Sequence, residues 1–191
     1  MIDAAITHIA GELNQYLKRS FDLTEDLVVI SNILEQDGSV ASHVNNKIVV
    51  SLVNIEKDTL PYRQKSPVSV SSTRIPSNSP PVFFNLYLLF ASCFVGSNYR
   101  EGLKFISNTI GFFQTQPIFD RQNTPGLDKG IDKLILDIEN LSVHDLSGLW
   151  SMLSGKYLPS IMYKVRMVTY DAAAVSAQIP VLSRPEPKVN H

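Results

Sequence analysis

PVFFNLYLLFASCFVG, residues 81–96, is the longest apolar stretch of the chain, and the fold depends on whether it is a membrane helix or a buried strand. Asn85 interrupts it, and it falls short of the roughly 20 apolar residues that a bilayer-spanning helix needs. Alternation gives the answer. Val82, Phe84, Leu86, Leu88, Phe90 and Phe94 share one face, while Phe83, Tyr87, Leu89 and Cys93 share the other, as in a strand covered on both sides. This stretch is predicted to lie at the centre of a sheet, in a chain that is itself soluble.

Toward the N-terminus, Ile2, Ala5, Ile6, Ile9, Leu13, Tyr16 and Leu17 recur at three- and four-residue spacings, with Glu12, Gln15, Lys18 and Arg19 between them. That is an amphipathic helix. Asp3 stands where a signal peptide carries positive charge, so the segment reads as a mature N-terminus. Leu27 to Leu34 and Lys47 to Ile55 are rich in β-branched residues and apolar on both faces, predicting two covered strands. The intervening EQDGSVASHVNN is a turn or loop by composition. After Asp58, prolines and serines accumulate from Leu60 to Pro81, predicting a flexible loop inserted in the domain; a structureless insertion of that length is usually functional.

Toward the C-terminus, a helix is predicted from Ser97, its cap, to Gln116. Leu103, Ile106, Ile110 and Phe113 form the expected core stripe. Phe105 and Phe112, with Thr109 between them, form a second stripe, so the helix is either doubly buried or part of an interface, here with a neighbouring subunit. The turn-rich GFFQTQPIFDRQNTPGLDKG leads to a short strand, Lys133 to Ile138. Ser142 and Asp145 form a capping box ahead of Leu146, Leu149, Trp150 and Leu153, and Gly155 is the expected stop. A strand is predicted to follow Pro159, with Ile161, Tyr163, Val165 and Met167 inward and Lys164 and Arg166 on its other face. The expected architecture is α+β: one mixed sheet with packed helices, spanning residues 1–174, followed by an extended proline-rich tail, 175–191.

Hydrophobic residues make up 44% of the 191 and charged residues 18%, a composition outside the disordered class. The net charge of -1 supplies no field that recruits nucleic acid or anionic membrane. Cys93 is the sole cysteine, so no intrachain disulfide forms, which suits a reducing cytoplasm.

A search for chemistry is mostly negative. No phosphate-cradling glycine loop and no paired metal-ligand motif occurs. His8, His43, His144 and His191 are scattered. His144, Asp145 and Ser147 are triad residue types, but neighbours on one helical turn point in different directions. Cys93 amid apolar residues behaves as a small hydrophobe. Lys156, Lys164 and Arg166, interleaved with Tyr157 and Tyr163, are candidates for a phosphate-binding cluster; the plainer reading is that Lys156 complements a helix C-terminus and the other two line a strand's polar face. The alternatives are a monomeric enzyme or small-molecule binder using residues 150–166, or a nucleic-acid adaptor.

Four fragments, in order, carry a resemblance: NKIVVSLVNIEKD (46–58), NLYLLFA (85–91), FFQ-x-x-P-x-F (112–119) and LW-x-x-L-x-G-K-Y-x-P-S-x-x-Y-K-V-R-M (149–167). Together they resemble the cap, or tail-terminator, proteins of extracellular contractile injection systems, phage-tail-like particles. The resemblance covers about Met1 to Thr169. It implies a fold similar to phage tail terminators and a non-enzymatic structural cap without cofactor or metal. Such a cap ends the tube and sheath and stabilises the extended sheath. The implied partners are its own copies, as a hexameric ring, and the sheath and inner-tube subunits, with no nucleic acid and no membrane insertion. Assembly would be cytoplasmic, in a particle that is released or membrane-anchored. Phe105, Phe112, Lys156, Lys164 and Arg166 are the candidate subunit contacts, and an exposed sheet edge is expected to accept a sheath strand by β-augmentation.

Overall fold

The apolar periodicity of the first twenty residues produces helix α1 (Ile2–Phe21), which buries Ala5, Ile6, Ile9, Ala10, Leu13 and Leu17. It ends where Asp22 adopts a left-handed conformation, φ 51°, and donates its N–H to the Lys18 carbonyl. The structure, a computed structural model, describes residues 1–35, 37–58, 74–76, 83–153, 156–169 and 178–180, with 74–76, 169 and 178–180 described by backbone alone.

Among these residues the element order after α1 is β1 (Val28–Ile30), β2 (Ile48–Lys57), β3 (Arg74–Pro76), β4 (Phe84–Ser92), α2 (Tyr99–Thr115), β5 (Ile118–Asp120), β6 (Ile131–Glu139), α3 (Val143–Met152), β7 (Ser160–Thr169) and β8 (Gln178–Pro180). Six strands form one sheet in the order β1-β2-β4-β7-β6-β5. β1 runs parallel to β2 and the other pairs are antiparallel, so the sheet is mixed. β4 is an inner strand, as its alternation requires. Leu86, Leu88 and Phe90 enter one core, with Ile48, Val50, Tyr163, Val165, Met167 and the faces of α1 and α2. Leu89, Ala91 and Cys93 enter a second core on the other face, with Val49, Met162, Leu149 and Trp150 of α3, and Ile33, Ala41 and Val44.

Helix α2 corrects the sequence reading. It starts after a 3-10 turn, Gly96–Asn98, without a side-chain cap, rather than at a Ser97 cap. Its buried residues are Gly102, Phe105, Ile106, Thr109, Phe112 and Phe113, while Leu103 is 39% exposed. The stripe expected to face a neighbouring subunit therefore lies inside this chain. The physical reason is that α2 is covered from two sides. Gly102 sits so close to β4 that a Cβ there would lie 2.4 Å from Ser92 Oγ and 2.8 Å from Phe94 Cβ, which turns this side of the helix onto the sheet. On the α1 side, Phe112 stacks on Tyr16 at 4.8 Å and Phe105 meets Phe21 edge-on at 4.9 Å. Such pairs contribute about 0.5–1.5 kcal/mol each beyond their area.

Four smaller differences follow from local geometry. The strand expected over Leu27 to Leu34 pairs only at Val28–Ile30, and a lone bridge joins Leu34 to Val40. A short edge strand, β5, lies within the connection read as turns, and β6 runs from Ile131 rather than Lys133. β3 and β8 pair antiparallel as a separate ribbon. β3 falls in the stretch 60–81 and β8 in the tail 175–191; the other residues of both stretches, and Gly155, lie outside those described. Ser142 opens α3 through the capping box expected for it.

Candidate interaction surface

The sheet face that carries α3 changes character along its length. Beyond Leu89 and Met162, alternation presents polar residues on the same side: Tyr87 beside Lys164, which is opposite Asp137, and Asn85 beside Arg166. The Tyr87 hydroxyl donates to Glu56 Oε2 at 2.8 Å. Lys164 Nζ stands 5.9 Å from the centre of the Tyr87 ring, within reach of a cation–π contact. Burial, followed by the Glu56 hydrogen bond and the charges of Glu56 and Glu139, pushes the Tyr87 phenol up to about 12. Arg166 Nε pairs with Asp58 Oδ2. Asn85 is buried, and its Oδ1 has no partner among the described residues.

Lys164 and Arg166 therefore come together where the strand pattern placed them. Lys156 does not join them. It is exposed at the mouth of a groove of about 640 Å³, lined by Ile33, Leu34, Val40, Ala41, Cys93 and Leu158 among others. Phe105 and Phe112 are buried in the core, 7% and 8% exposed. Glu56, Asp58 and Tyr87 were not singled out from sequence. The signal was partial: Tyr87 and Lys164 each fall on the outer parity of their strands, but only the register places one beside the other.

The remaining candidates are occupied structurally. The Asp145 carboxylate accepts from the Ser142 N–H at 3.3 Å and the Ser142 hydroxyl at 2.6 Å, and these hydrogen bonds hold it below the usual carboxylate range. It is a cap, not the orienting acid of a triad. The ring of His8 lies edge-on to Phe119 at 5.9 Å, and burial lowers its basicity. His43 bonds Ser31 Oγ at 2.8 Å, far along the chain from His8 and His144. Burial pushes the Cys93 thiol up to about 11, so it stays a protonated thiol at neutral pH. Trp150 is buried, with the Tyr157 ring 5.9 Å away. Among the described residues no cluster of three His, Cys, Asp or Glu side chains suits a metal, and no helix is long and apolar enough to cross a membrane.

Comparison with known proteins bears on what such a surface serves. The profile of the Pvc16 N-terminal domain matches residues 4–184. Among solved structures, a cryo-electron microscopy structure of the sheath/tube terminator of an extracellular contractile injection system, PVC, in the extended state is similar to this chain with a TM-score of 0.50 at 14% sequence identity. The match covers 96% of this chain and 64% of the solved one, so this chain spans less than two thirds of that protein's length. No curated protein matches.

Proposed function

The chain belongs to the Pvc16 N-terminal domain family, and from that premise we propose that it is a structural cap that terminates the sheath and tube of a contractile injection system. The observation that carries this reading is the match over 96% of the chain to a protein described as a sheath/tube terminator. A sheet with one face largely covered by α1 and α2 and the other changing from apolar to polar along its length suits a rigid building block with contacts on more than one side.

In this reading the cap is a homohexamer, assembled in the cytoplasm, that stops growth of both polymers and stabilises the extended sheath by binding, not by catalysis. Lys164 and Arg166, held by Tyr87 and Asp58, present a patterned charged surface to sheath or tube subunits. The domain proper is residues 1–174, and the proline-rich stretches 60–81 and 175–191, which meet in the β3–β8 ribbon, supply further contacts with neighbours. β1 ends opposite Val50, so the outer edge of β2 from Leu52 onward has no strand beside it among the described residues. It is the position at which a sheath strand adds by main-chain hydrogen bonding. A high-resolution view of assembled particles with no inter-subunit strand on this edge would remove that element.

The reading is tested by adding the purified chain to growing sheath and tube subunits. Growth should stop, with the chain found at one end of each particle. Unchanged growth with the chain left in solution is the contrary result.

A further inference from the structure

We propose that the apolar groove beside Cys93 receives the N-terminal corner of α3 from a second copy of this chain, with Val143 as the apolar anchor and the neighbouring carboxylates facing Lys156. This deepens the reading of the chain as a self-associating cap and rests on it.

The groove is of a size that accepts bulky side chains, and most of its lining is apolar. Two side chains at its walls, Val40 and Val95, are left 63% and 62% exposed. Lys156 is the single charged residue of the lining, and it forms no ion pair among the described residues. An occupant that matches this chemistry is apolar and flanked by negative charge.

The start of α3 has that character. Val143 is 85% exposed, more than any other large apolar side chain among the described residues. Helix initiation does not account for it, because the capping box uses Ser142 and Asp145, and a β-branched residue is no better than average in a helix. Ile138, 39% exposed, lies five residues earlier at the end of β6. Asp137, Glu139 and Asp145 bracket the two in sequence.

The groove and this corner are separate surfaces of the chain. The groove is lined by the segment that follows β1, by Cys93 and Val95 past β4, and by Lys156 and Leu158 ahead of β7, whereas Val143 stands at the other end of α3, just past β6. A surface and a complement that differ from each other give head-to-tail association, which closes into a ring or continues as a filament.

The test uses the full chain carrying Cys93→Ala, Val40→Cys and Val143→Cys, oxidised and run without reductant, beside light scattering of the unmodified chain. A ladder of covalent oligomers that requires both new cysteines is expected. Val143→Asp and Lys156→Glu should each weaken association about tenfold or more, as loss of one central contact does, with the melting temperature of the monomer unchanged because both side chains are exposed. Oligomers of normal size in Val143→Asp, with no ladder, would overturn the groove as the interface and leave the terminator reading standing. A chain that stays monomeric at every concentration would also overturn it. So would a groove that binds a small apolar ligand without affecting association.

Discussion

Arg166 on β7 pairs with Asp58, just beyond β2, across the full width of β4. Asp58 is nearly buried, its side chain 3% exposed, and the Arg166 side chain is 27% exposed. Removing one partner of a fully buried pair costs about 3–5 kcal/mol, because the other charge is stranded; partial exposure of the guanidinium lowers the expectation here to about 2 kcal/mol for Arg166→Ala. The double variant Asp58→Ala/Arg166→Ala should cost less than the sum of the two single changes. Strict additivity in denaturant melts would mean that the pair adds nothing.

Phe112 distinguishes the two readings of α2. If its stripe faced a neighbouring subunit, Phe112→Asp would spare the monomer and block assembly. Since Phe112 is buried against Tyr16, Phe113 and Phe119, Phe112→Asp should fail to fold. Phe112→Ala should lose about 3–5 kcal/mol, the usual cost of emptying a buried aromatic site. A soluble Phe112→Asp monomer with native circular dichroism would restore the interface reading.

Two glycines of α2 should respond in opposite directions. Gly102→Ala forces a Cβ into Ser92 and Phe94 and should destabilise the fold, whereas at Gly111 nothing lies within 4 Å of the added carbon. There the gain in helix propensity, roughly 0.8–1.0 kcal/mol, should appear as stabilisation. Equal effects of the two changes would mean that α2 does not lie against β4 as described.

Tyr163 carries a buried hydroxyl with no partner among the described residues, and burial pushes it up to about 12 from an ordinary 10.0. Tyr163→Phe should stabilise by about 1 kcal/mol, since an unsatisfied polar group is removed. The pH dependence has a definite sign. Between 10 and 12 the folded chain keeps this proton while the unfolded chain releases it, so stability present below 10 is lost as pH rises through that window. Tyr163→Phe should lack that contribution. Parallel stability curves for the two proteins from pH 9 to 11 would contradict it.

How much was legible in the sequence depends on how local each signal is. The faces of β4 and β7 follow from alternation, because each residue's side is set by its own strand, and the cap of α3 follows from Ser142 and Asp145 alone. On the buried face of α2 the spacing gives Ile106 and Phe113 but not the choice of Phe105 over Leu103, because the two are equally apolar. The choice between them depends on α1 lying over one side of α2 and on the missing Cβ of Gly102, contacts made by distant segments. β5 was missed because three residues beside Pro117 carry no periodicity. The pairing of Arg166 with Asp58 and of Tyr87 with Glu56 depends on register, which the bulge between Leu52 and Asn54 shifts. The groove at Lys156 is built from three separate segments and left no pattern in any of them.

The terminator role is tested most directly by deleting the gene and measuring the lengths of the remaining contractile particles by electron microscopy. A protein that ends the sheath and tube should leave, when absent, particles of abnormal length or no assembled tails, with normal lengths restored by the intact chain. Particles of normal number, length and extended state in its absence would contradict the role.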